Sequence, residues 1–116
     1  MQNWSDILKS EFDAQEGSFL IKLRCEATWD KEAFKQLFIA MRECCKVQAE
    51  KGTIKRWIAQ GFWYLSWFPK QEAKRFGFDS LYYENALANL DHLAWWLFCG
   101  EARADGQFEP LDGKEV

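Results

Sequence analysis

The segment from Ile54 to Phe68, IKRWIAQGFWYLSWF, leaves this chain few folds to choose from. At helical spacing Ile54, Trp57, Ile58, Gly61, Phe62, Leu65 and Phe68 share one stripe. Trp63, Tyr64 and Trp67 carry apolar surface around most of the remaining circumference. A helix that is apolar nearly all round is normally covered on several sides. The segment therefore predicts a central aromatic-rich helix over 54–68, capped by Thr53 and stopped by Pro69. Gly61 costs such a helix about 1 kcal/mol relative to Ala, which implies that another backbone passes close to it.

The rest of the chain supplies partners for that helix. Ser5 to Phe12 reads as a short N-terminal helix, with Ser5 as its cap and Gly17-Ser18 as a break. The clearest helix starts after Asp30. Trp29 is placed to staple onto Phe34, and Phe34, Leu37, Phe38, Met41, Cys44 or Cys45 and Gln48 follow at helical spacing, with Gly52 as the stop. Residues 69–78 read as a basic connection anchored by Phe76 and Phe78. A last helix opens at Asp79 or Ser80 and ends at Cys99-Gly100, its inner face formed by Tyr83, Leu87, Leu90, Ala94 and Leu97. In residues 19–26, Phe19, Ile21, Leu23 and Cys25 alternate with Lys22, Arg24 and Glu26, the pattern of a strand with one buried face. The expectation is one mostly α domain over 1–116: a compact bundle of three longer helices and a short N-terminal one, with 19–26 left open between strand and helix and 101–116 as a partly mobile polar tail.

Composition narrows the function classes. Aromatic residues make up 17% of the 116, including seven tryptophans, so even a short chain has the bulk for a core. Any indole N–H that is buried then needs a partner. Residues 1–16 are too polar for a signal peptide, and the mostly apolar run from Ile58 to Phe68 is too short to span a bilayer. These features favour a soluble cytoplasmic protein with reduced thiols at Cys25, Cys44, Cys45 and Cys99. The net charge of −3 and the need for rings in the core weigh against nucleic acid, although Lys55-Arg56-Trp57 and Lys74-Arg75-Phe76 interleave bases with rings.

No motif for a nucleophile, a phosphate loop or a metal stands out, so no catalytic residue and no cofactor is assigned. Cys44-Cys45 lacks metal-ligand spacing, because adjacent residues point to different sides of a helix. Two groups of residues are candidates for binding. Arg56, Gln60, Trp63 and Trp67 share a stripe rich in the residue types that dominate protein–protein hot spots. On the last helix Asn89, His92 and Trp96 share a stripe with Asn85 and Cys99, and Glu84 sits beside Tyr82 and Tyr83. The reading that follows is a non-catalytic interaction module whose partner is another protein or a second copy of itself. The competing reading is an aromatic-walled small-molecule pocket, or a minor enzyme, near Tyr83, Glu84, Asn89 and His92.

Overall fold

Asp30 caps one helix, and Trp29 beside it reaches across the chain to Tyr82, 53 positions on. In the computed structural model, which describes residues 3–102 and residue 104, five helices account for the regular structure. They are α1 (Trp4–Phe12), α2 (Phe19–Glu26), α3 (Lys31–Gln48), α4 (Arg56–Phe76) and α5 (Leu81–Cys99). Asp30 caps α3 by accepting from the Ala33 N–H at 3.0 Å. Its second carboxylate oxygen accepts from Lys22 Nζ at 2.6 Å, which ties α2 to the start of α3. Trp29 stacks at a tilt on Phe34, 5.2 Å between centroids, as the staple pattern predicts. Among the described residues no strand is present and no helix is long and apolar enough to cross a membrane. Of the tail expected over 101–116, only residues 101, 102 and 104 are described; Phe108 lies outside the described residues.

Residues 19–26 form a helix, not an extended segment. The period-two alternation is real, but Phe19, Leu20 and Leu23 are the buried residues and Cys25 is exposed. Two caps favour the helix. Ser18 accepts from the Ile21 N–H at 3.2 Å. The carboxylate of Glu11, at the end of α1, accepts from the N–H groups of Phe19 at 2.9 Å and Leu20 at 2.7 Å. Three of the first orphan donors of α2 are thus satisfied, one by Ser18 and two by a side chain from the preceding helix. Glu11 is itself buried, and desolvation pushes its carboxyl above the ordinary value against the pull of those two hydrogen bonds.

Pro69 does not stop α4. The helix runs seven residues further, to Phe76, and ends at Gly77 in the left-handed region. A proline inside a helix removes one hydrogen bond and costs about 3 kcal/mol. Burial offsets that cost here: Phe68, Pro69, Glu72 and Ala73 all lie inside, so the core continues past the proline. At the start, Lys55 occupies the cap position without a side-chain bond, in place of the expected Thr53. Asn3, in place of Ser5, caps α1, and α3 ends at Gln48, ahead of Gly52. Ser80 and Gly100 bracket α5 as expected, Gly100 being left-handed.

The helix with neighbours on most sides is α3. It packs on α1, α2 and α5, whereas α4 rests mainly on α5 and α2. Phe34, Leu37, Phe38, Met41, Cys44 and Cys45 are at most 1% exposed. The two cysteines are inert by burial, which pushes the Cys44 thiol up to about 12 and raises that of Cys45 as well. The inner stripe of α4 holds Ile58, Gly61, Phe62, Leu65 and Phe68, much as expected. Its outer side is open, so a central position for 54–68 gives way to a flanking one.

Trp29 is the tryptophan at the heart of the core. Its ring meets Phe19, Phe34, Phe78, Tyr82 and Tyr83, with centroids 4.8 to 6.4 Å away. Its indole N–H donates to the Tyr82 hydroxyl at 3.2 Å. Burial pushes the Tyr82 phenol up to about 12. Truncation to Trp29→Ala is expected to cost roughly 3–5 kcal/mol in a denaturation experiment. Tyr82→Phe keeps the ring and strands the indole donor, at about 1–3 kcal/mol. Phe62→Ala falls in the range of Trp29→Ala, while half-buried Trp57→Ala costs less. A Tyr82→Phe protein as stable as the parent would contradict the role given to this bond.

The Lys22–Asp30 pair sets a pH dependence. Lys22 holds the Asp30 carboxyl below its ordinary value of 3.8, so its contribution is full above 3.8 and is lost as pH falls through the lowered value. Asp30→Asn keeps the cap oxygen and deletes the charge. Its melting temperature is expected below that of the parent at neutral pH and equal to it in strong acid. A gap unchanged across that window would show that the ion pair does not stabilise the fold.

Candidate functional site

The outer side of α4 carries the first group of candidates, and the structure brings them together. Arg56, Gln60, Trp63 and Trp67 are all exposed. Trp63 is 57% exposed and Trp67 37%, unusual values for rings of this size. The two indoles meet edge to face at 5.5 Å, and Trp67 also meets Tyr64 at 5.2 Å. Because the helix continues through Pro69, the same side gains Lys70 and Lys74, both exposed. Glu72 is the one acid on α4 and it is buried, so this face is purely basic.

The exposed side of α5 has the opposite character. Leu81, Glu84, Ala88, Asp91, Trp95 and Phe98 are exposed at helical spacing. Residues 79–102 contain no Lys or Arg. Lys70 Nζ pairs with Asp91 at 3.0 Å across the junction of the two helices. Trp95 is 49% exposed and Phe98 48%. The α4–α5 hairpin thus presents two adjacent stripes, each with two large rings and a single sign of charge.

The second group of candidates is split between two faces of α5. Glu84 is exposed in the first turn of α5. Asn89 is 1% exposed, so the two lie on different faces. His92 and Trp96 are half-buried beside Asn89 on the same stripe. Tyr83 belongs to the core, stacked on Phe78 at 5.1 Å and edge-on to Trp29 at 5.3 Å. Both amide atoms of Asn89 are buried without a hydrogen-bond partner among the described residues. Among those residues, no group of three His, Cys, Asp or Glu side chains converges as for a metal.

A cavity of about 580 Å³ opens elsewhere, between α1, α2 and α4. Leu20, Glu11 and Gly61 are its buried surfaces, and Phe12, Trp57 and Tyr64 its half-buried rings. Lys9, Asp13, Arg24, Gln60 and Trp63 surround its mouth. Sequence reading missed Lys9, Phe12, Arg24 and Tyr64 as a set, because three helices distant in the chain contribute them and no spacing records it. Gln60 and Trp63 belong to both the cavity and the outer stripe.

Gly61 shapes this cavity. A Cβ at Gly61 would overlap the Phe12 ring, so a side chain, rather than the passing backbone expected from sequence, is what needs the bare Cα. Phe12 in turn packs edge-on against Trp57 at 6.1 Å. No family model matches the chain, and no curated protein or solved structure matches it either.

Gly61→Ala sets two effects against each other. Ala gains up to about 1 kcal/mol of helix propensity, while overpacking costs typically 1–3 kcal/mol. The variant is expected to be less stable than the parent by about 1–2 kcal/mol. In a Phe12→Ala background the overlap vanishes and the same substitution is expected to stabilise. Urea denaturation of the four proteins measures this cycle; the same sign in both backgrounds would refute the packing account.

Proposed function

We propose that the protein is a non-catalytic, cytoplasmic interaction module that works by self-association through its α4–α5 face. The observation that carries this reading is the exposure of Trp63 and Trp67 side by side on a helix whose exposed charged residues are all cations. Large rings in water next to arginine and lysine are the composition of interface hot spots. The neighbouring acidic stripe on α5 supplies the complementary occupant. A two-fold axis set over the hairpin lays each α4 on the α5 of the other copy, so one surface patch satisfies itself twice.

The dimensions agree with such a pairing. Two helices of about 20 residues are each roughly 30 Å long and lie some 8–10 Å apart. A face of that size, with side chains, offers on the order of 600 Å² per copy, near the ~800 Å² per partner of a standard interface. In the pairing Lys74 approaches Glu84 of the other copy and the Lys70–Asp91 pairs of the two copies come together, while the indoles exclude water between them.

Sedimentation across the micromolar to submillimolar range tests this. The mass is expected to rise from 13.7 kDa toward its double, with a shift to higher concentration as salt is raised. Trp63→Ala is expected to weaken association at least about tenfold, and Lys74→Glu to weaken it while leaving the fold intact. A single 13.7 kDa species over the whole range would overturn the reading.

A further inference from the structure

The geometry points to the cavity between α1, α2 and α4 as a binding site for a flat aromatic or apolar molecule bearing one carboxylate. Its volume of about 580 Å³ falls within the usual range of small-molecule sites, roughly 300–1,000 Å³. The walls are rings, Phe12, Trp57 and Tyr64, with Leu20 and the bare Cα of Gly61 between them. Such a lining favours a planar apolar body over a sugar or a peptide.

The polar groups decide the sign of the ligand. Two cations and two acids line the cavity, but they are not equally free. Both oxygens of Glu11 are committed to the N–H groups of Phe19 and Leu20. That leaves Asp13, exposed at the mouth, as the one acid able to meet a ligand. The donors are more numerous: the Arg24 guanidinium, the Lys9 ammonium, the Gln60 amide and the Tyr64 hydroxyl.

Arg24 is the key donor. Among the described residues it forms no ion pair, and it lines the cavity together with Tyr64, whose phenol burial pushes upward, Arg24 pulls down and Glu72 raises. A guanidinium beside a phenol at the mouth of an aromatic cavity is a natural fork for a carboxylate. A cationic ligand is disfavoured on two counts. Lys9 Nζ already sits 5.4 Å from the centroid of the Trp57 ring, and Arg24 would repel a second cation. The cavity shares Gln60 and Trp63 with the α4–α5 face, but this inference does not require self-association, since Lys9, Arg24 and Phe12 lie outside that face.

Three probes with one ring system separate the alternatives: naphthoate, neutral naphthamide and cationic naphthylmethylamine. Each is titrated into the full chain at a concentration where it is monomeric, with the indole N–H resonances of Trp57 and Trp63 followed by NMR. Naphthoate is expected to saturate, to move both resonances, and to bind at least about tenfold more tightly than the amine. Exposed Arg24→Gln leaves the helices in place, as circular dichroism checks, and is expected to reduce naphthoate affinity to that of naphthamide. Equal or tighter binding of the amine would overturn the assignment. So would an affinity unchanged in Arg24→Gln, or no saturable shift at either indole. None of these results bears on the sedimentation behaviour of the ligand-free chain, so the two readings fail separately.

Discussion

The buried hydrogen bond from the Trp29 indole to the Tyr82 hydroxyl is the point on which the fold is built. It joins the loop between α2 and α3 to the first turn of α5, residues 53 positions apart. A buried indole N–H or phenol without a partner costs free energy that a small domain lacks in surplus. Here each satisfies the other. Phe19, Phe34 and Phe78 then close over the pair from α2, α3 and the turn after α4. Trp29 therefore fixes how four segments of the chain meet.

What sequence made legible were the elements whose caps and stops are local. Asp30, Trp29 and Phe34 announce α3 within six residues, and Ser80 and Gly100 bracket α5. What it hid were the elements decided by distant contacts. The N-terminus of α2 is completed by Glu11, eight and nine residues back, and no short pattern distinguishes that acid from an exposed one. The extension of α4 past Pro69 rests on burial of Glu72 and Ala73, which only the tertiary arrangement provides. In both places a local preference, period-two alternation in one and proline in the other, is outweighed by tertiary contacts.

The candidate surfaces divide the same way. Arg56, Gln60, Trp63 and Trp67 were visible as one stripe because helical spacing alone aligns them. The acidic half on α5 was only half visible, since Glu84 lay in a group with Asn89, from which burial separates it. The cavity was invisible as a set. Its walls come from three helices, and its key space exists because Gly61 lets the Phe12 ring approach α4.

The tryptophans carry the deeper lesson about this chain. Rings that are fully buried are mostly phenylalanine: Phe19, Phe34, Phe38 and Phe62 are at 0% exposure and carry no polar atom to satisfy. Trp29 is the one tryptophan of the described core, and it has Tyr82. Trp4, Trp57 and Trp96 stay half-buried, and Trp63, Trp67 and Trp95 are exposed. An indole at the surface can leave its N–H to water, but it holds a large apolar face out of the core. The tryptophan excess is thus a property of the outside of this protein. The cost of unpaired N–H groups keeps most indoles out of the interior, and that same cost leaves apolar area exposed on α4.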